Sequence, residues 1–102
     1  MIAPRADANA LLRQLSRSGL TQQDVDMMVR AGATLYADGR ASAGDDTIWS
    51  NPATGSFGLV EVASVSGECV SLTYKFRTAR RSAVQSVAGR RCLSGNRWVS
   101  TP

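Results

Sequence analysis

The chain has 102 residues, 43% hydrophobic and 20% charged, with a net charge of +4; this fits one small folded domain and excludes a disordered chain. No run of about 18 apolar residues occurs, so no transmembrane segment is expected. Charge is uneven: residues 1–68 carry all eight acids and five bases, whereas residues 69–102 carry seven bases and no acid.

The first residues lack the basic and apolar regions of a signal peptide. A start at Met1-Ile2-Ala3-Pro4-Arg5 fits a cytosolic protein and equally an exported one whose leader has been removed. Residues 1–7 read as a disordered tail ahead of a single domain over 8–102. Asp7 is placed to cap a helix over 8–17, in which Leu11, Leu12 and Leu15 form an apolar stripe. Ser18-Gly19 ends it. Thr21-Gln22-Gln23-Asp24 then resembles a capping box, with Asp in place of the usual Glu. Val25, Met28, Val29, Gly32, Leu35 and Tyr36 follow at helical spacing, and Asp38-Gly39 stops the second helix. Met28 is expected in the core and Met27 at its margin. The helical part thus covers 8–40.

Beyond a polar connection at 40–46 the period changes from helical to alternating. Strands are expected near 46–50, 57–65, 69–78, 82–93 and 96–100. They are separated by Asn51-Pro52-Ala53-Thr54-Gly55, Ser66-Gly67 and Ser94-Gly95-Asn96, all turn chemistry. The fold class read from this pattern is α+β, with two N-terminal helices packed on a five-stranded antiparallel meander formed by residues 46–100.

In the strand 69–78, Val70, Leu72, Tyr74 and Phe76 alternate with Cys69, Ser71, Thr73, Lys75 and Arg77, which separates a core face from a polar one. A turn centred between Arg80 and Arg81 would set Cys69 opposite Cys92, Leu72 opposite Gly89 and Tyr74 opposite Val87. Opposed Cβ atoms lie about 4.5–5.5 Å apart, close to disulfide range. Arg80-Arg81 is not a favoured two-residue turn, so a longer, bulged loop is the alternative. Two free buried thiols, or one reactive thiol, are the rival readings of the cysteines.

No histidine occurs, and neither cysteine belongs to a C-x-x-C pair. This argues against zinc binding and Cys–His catalysis, and neither a metal nor a cofactor is expected. Asp45-Asp46 is the one adjacent acid pair, and a polar loop is a place for capping or exposed acids. The basic C-terminal third offers an anion-binding candidate in Lys75, Arg77, Arg80 and Arg81. The simpler reading is that these bases cover a solvated face. Trp49 and Trp98 are expected in or beside the core, each indole N–H finding a carbonyl, with an exposed stacking platform as the alternative.

The run Trp49-Ser50-Asn51-Pro52-Ala53-Thr54-Gly55-Ser56-Phe57-Gly58 resembles the W-x-N-P-x-T-G-x-x-G segment of the proteobacterial surface-antigen domain, the C-terminal domain of outer-membrane antigens of the rickettsial 17-kilodalton type. Cys69 followed by Tyr74, Arg90-Arg91-Cys92, and a final Gly95-x-x-Trp98 agree with it, so that the likeness covers roughly residues 45–100. The resemblance implies an exported, β-rich envelope domain of a Gram-negative bacterium, periplasmic or at the outer membrane, with a cysteine pair and no known catalysis. The lipidation cysteine and glycine-zipper segment of longer members do not occur here. Asn51, Pro52, Thr54 and Gly55 are expected to shape a turn, with Gly55 at positive φ.

The leading expectation is therefore a non-enzymatic cell-envelope structural or binding module. Its partner would be an anionic envelope component (lipopolysaccharide, lipid or glycan) or an envelope protein met through the basic hairpin. Nucleic-acid binding by the basic C-terminal third is a weaker reading, because Tyr74 and Phe76 fall on the face opposite Lys75 and Arg77. A secreted inhibitor or effector is the remaining alternative.

Overall fold

A computed structural model describes residues 18–101. Thr21 caps helix α1 (Gln22–Tyr36) through a complete capping box. The Asp24 N–H donates to Thr21 Oγ1 at 3.1 Å, and the Thr21 N–H donates to Asp24 Oδ2 at 3.0 Å. Two donors that the helix would leave orphaned are thereby satisfied. Val25, Met28, Gly32 and Tyr36 are buried along one stripe, with Met27, Val29 and Leu35 at its margins. The chain leaves the helix through Gly39, at φ +78°, whose N–H donates to the Tyr36 carbonyl.

Strands β1 (Asp46–Asn51), β2 (Ser56–Ser66), β3 (Cys69–Thr78), β4 (Arg81–Ser94) and β5 (Arg97–Ser100) form an antiparallel meander in chain order. These are the five strands expected from the alternation, with boundaries moved by no more than a residue. The expected pair of helices is corrected. Among the described residues one helix, α1, packs on the sheet, while the predicted tail 1–7 and helix 8–17 lie outside the described residues. Helix α1 lies against β1, β2 and β3. A helix some 10 Å across spans two to three strands, so one suffices to close the core over that half of the sheet.

The core face of the sheet presents Val60, Val62, Val70, Leu72, Tyr74 and Phe76, each at most 2% exposed, to Val25, Met28 and Tyr36 of the helix. Leu72 pairs with Gly89, as the register predicted, but the ring over that glycine belongs to Tyr74. A Cβ at Gly89 would lie 3.0 Å from Tyr74 Cε2. Long side chains lean along a strand and reach the diagonal position. On its other side, the Tyr74 ring meets Gly32 of α1, where a Cβ would lie 3.5 Å from Cε1. Two glycines on different elements thus make room for one tyrosine.

The described residues leave the opposite face of the sheet open. Ser71, Thr73, Lys75 and Arg77 of β3 point to it, alongside Ile48 and Phe57, which are among the most exposed large apolar residues.

Candidate anion-binding hairpin

The β3–β4 hairpin keeps the predicted pairing over most of its length, from Cys69 opposite Cys92 to Phe76 opposite Gln85. The tip differs. Thr78 pairs with Arg81, so Ala79-Arg80 form the turn, and Arg77 alone stands against Ser82, Ala83 and Val84. The turn centre lies one residue before the expected Arg80-Arg81, and the bulge takes up the two residues of register that this shift creates. Cys69 and Cys92 form a disulfide, their Cα atoms 4.0 Å apart. The bond lies on the open face, at the end of the hairpin remote from the arginine tip, with Thr101 Oγ1 3.6 Å from Cys92 Sγ.

All four candidate bases are exposed. The fold brings Lys75 and Arg77 together as alternate residues on the open face of β3, beside Leu59 and Phe57 of β2 respectively. Arg80 and Arg81 sit apart from them, at the tip. Arg80 borders a cleft of about 350 Å³ lined by Gly19, Thr21, Thr54, Ser56, Thr78 and Ala79. Arg90 joins the open-face bases: it pairs with Ser71, two residues before Cys92. Sequence reasoning left Arg90 out of the candidate set, although its even spacing from Cys92 placed it on that face. Among the described residues, no ion pair ties down these side chains.

Behind the cleft lies a link that sequence reasoning, which read Asp24 as a cap and Asn51 and Thr54 as turn residues, did not foresee. Asp24 is fully buried, and its Oδ1 accepts from Asn51 Nδ2 at 2.7 Å and from Thr54 Oγ1 at 2.6 Å. Burial pushes its carboxyl up, but hydrogen bonds from Thr54, Thr21, Asn51 and Ser56 outweigh burial and hold its pKa below the ordinary value. Asn51 also accepts the Ala53 N–H at Oδ1, and Gly55 turns the chain at φ +79°. The last glycine of the segment, Gly58, admits β3: a Cβ there would collide with the Lys75 carbonyl and lie 2.8 Å from Phe76 Cα. The Trp49–Gly58 segment thus serves turn, cap and close strand approach. Asp45 also caps, accepting the Ser42 N–H at 2.9 Å.

Trp49 is buried as expected, but its Nε1–H finds no acceptor among the described residues. Trp98 is half-buried and packs edge-on against Tyr36, their ring centres 4.8 Å apart. Arg91, on the core side of β4, is close enough to the Tyr74 hydroxyl to lower its pKa by charge and by hydrogen bonding. Burial nevertheless drives the Tyr74 pKa up to about 12, against the opposing pull of the Arg91 charge.

Among the described residues no cluster of histidine, cysteine and carboxylate side chains has the arrangement of a metal site, and no helix is long and apolar enough to cross a membrane. No family model, curated protein or solved structure matches this chain.

Proposed function

We propose that this protein is a non-enzymatic cell-envelope module that holds an anionic envelope component through the β3–β4 hairpin. The observation that carries the reading is the exposure of Lys75, Arg77, Arg80 and Arg81 on a hairpin that contains no acid. Unpaired, solvated bases concentrate anions at a surface without the desolvation cost of a buried pair. The Cys69–Cys92 disulfide supports residence in an oxidising compartment. The resemblance of the Trp49–Gly58 segment to the surface-antigen domain supports export to the periplasm or outer membrane of a Gram-negative bacterium. Nucleic acid is disfavoured as the ligand because Tyr74 and Phe76 are each 1% exposed and cannot stack on bases, which leaves Phe57 beside Arg77 as the aromatic surface there.

The test is co-sedimentation with vesicles. Vesicles containing anionic lipid or lipopolysaccharide should retain the protein, neutral vesicles should not, and retention should fall as salt shortens the screening length below about 8–10 Å. Arg80→Ser with Arg81→Ser should weaken retention without lowering the melting temperature, since exposed tip side chains contribute little to stability. Retention equal in neutral vesicles, or equal in the double variant, overturns the reading. Tighter salt-sensitive binding to nucleic acid than to either vesicle replaces it.

A further inference from the structure

Strand register sorts the open face into rows. In the row nearest the hairpin tip, Phe57 of β2 is directly opposed to Arg77 of β3, and Val84 stands in the β4 bulge against Arg77. The next row sets Ile48 of β1 opposite Leu59, and Leu59 opposite Lys75. Ile48 is 78% exposed, Val84 62% and Phe57 48%. Ser50 and Ser86 complete these two rows, so neither row holds an acid. Asp46 and Glu61 are opposed in the third row, which lies about 13 Å along the strands from the first. Arg90 lies farther from the tip than either acid. Exposed apolar side chains and free bases therefore share the tip half of the face, with Arg80 and Arg81 just beyond it.

A dissolved anion would engage Lys75 and Arg77 and leave Phe57, Ile48 and Val84 in water. A surface with an anionic layer over an apolar one engages both kinds of side chain. We propose that the tip half of the open face docks on the head-group layer of an anionic lipid bilayer. Phe57, Ile48 and Val84 enter that layer, and Lys75, Arg77, Arg80 and Arg81 meet its phosphates. The inference rests on the anion-binding reading above and narrows its ligand to lipid. Approach is tip first. Apolar groups at such a boundary sink about 5–10 Å, which takes in the first two rows, about 7 Å apart. Asp46 and Glu61 then stay behind the leading row by more than the screening length of about 8–10 Å, so they do not cancel the attraction of the four bases. The long stems of lysine and arginine let their charges remain at the phosphates while the neighbouring apolar groups go deeper.

Vesicles of phosphatidylcholine and phosphatidylglycerol in equal parts test this on the full chain. Ile48→Ser with Phe57→Ser should partition onto them roughly tenfold more weakly than the wild type. Its melting temperature should be unchanged, because both side chains are exposed. Its dependence on salt should also be unchanged, because its bases are intact. Arg80→Ser with Arg81→Ser should instead flatten the dependence on salt. Phe57→Trp reports depth: lipid brominated on the upper acyl chain should quench its fluorescence, over and above the signal of Trp49 and Trp98 in the wild type. Ser66→Trp, exposed at the far end of β2, should escape quenching. Equal partition by the apolar double variant, or an unquenched Phe57→Trp, overturns the inference and leaves the anion-binding reading standing, with the bases acting alone. Binding only when the vesicles carry lipopolysaccharide overturns it in favour of a glycan. Absence of binding to any anionic vesicle overturns both. Self-association of the wild type in sedimentation velocity without lipid, abolished by Ile48→Ser with Phe57→Ser, assigns the patch to a second copy and overturns the docking.

Discussion

Asn51 donates from Nδ2 to Oδ1 of Asp24 at 2.7 Å, joining the turn after β1 to the first turn of α1 across 27 positions of sequence. Thr54 donates to the same oxygen. One buried carboxylate therefore completes a capping box and fixes a turn on the neighbouring element. Asp24→Ala should cost about 3 kcal/mol, because it removes the reciprocal cap, takes the acceptor from the Thr54 hydroxyl and leaves the Asn51 amide with its bond to Gln23 alone. Asp24→Asn, which keeps the shape and loses the charge, should cost less. The native pKa of Asp24 lies below its value of 3.8 in the unfolded chain. Its contribution is thus fully present above about pH 4 and is lost as pH falls through the native pKa. Urea unfolding should show the gap between wild type and Asp24→Asn narrowing below pH 4; a gap that is constant with pH removes the charge from the account.

The Cys69–Cys92 bridge closes a loop with a sequence separation of 23. Chain entropy alone assigns such a closure about 3.5 kcal/mol. Reduction, or Cys69→Ala with Cys92→Ala, should lower the melting temperature by about 15–25 °C for a chain of this size. Calorimetry with and without reductant measures it. Unchanged melting on verified reduction would show that the hairpin register is held by Val70, Leu72, Tyr74 and Phe76 without help from the bridge.

How far the sequence predicted these relationships depends on their range. Thr21 and Asp24 announce α1 locally, and the alternation in β3 separates its two faces without reference to any other strand. The pairing of Cys69 with Cys92 agrees with the expectation although the turn sits one position earlier than expected, because the bulge restores the register that the turn alone would shift by two residues. The tip was misplaced because the Ser82–Val84 bulge has no strong residue signature. The role of Asp24 was not legible beyond its cap: its partners Asn51 and Thr54 lie 27 and 30 residues away, and no periodicity reports a contact at that distance. The separation of Arg80 and Arg81 from Lys75 and Arg77 likewise follows from how the turn bends.

Gly58 and Gly89 rank differently as sites of substitution. A methyl group at Gly58 meets backbone atoms of Lys75 and Phe76, which move only if β2 and β3 part. At Gly89 it meets the edge of the Tyr74 ring, which can tilt. Gly58→Ala should therefore cost more than about 3 kcal/mol or prevent folding, and Gly89→Ala about 1–2 kcal/mol. Combining Gly89→Ala with Tyr74→Leu should cost less than the sum of the two single changes, because the second removes the atoms that the first displaces. Additive costs in urea unfolding would show that the ring and the glycine are not coupled.

Tyr74 gives the fold an alkaline limit. Burial is the largest influence on its hydroxyl and raises its pKa from 10.0 to about 12; Tyr36 adds to the rise, and Arg91 opposes it by charge and by a hydrogen bond. A raised native pKa means that the folded state holds the proton more tightly than the unfolded chain does. The stabilisation is thus fully present below pH 10 and is lost between pH 10 and 12. A shift of this size corresponds to about 2–3 kcal/mol. Urea unfolding of the wild type should weaken across that window. Tyr74→Phe should cost about 1 kcal/mol at neutral pH through the lost bond to Arg91, and should flatten the alkaline decline. A residual slope should remain from Tyr36, which burial also raises. Arg91→Met removes the opposing charge and hydrogen bond together, so tyrosinate absorbance should then appear at still higher pH. Appearance of the Tyr74 tyrosinate signal near pH 10 in the folded wild type would contradict the burial argument, and an Arg91→Met signal at lower pH would reverse the role given to the guanidinium.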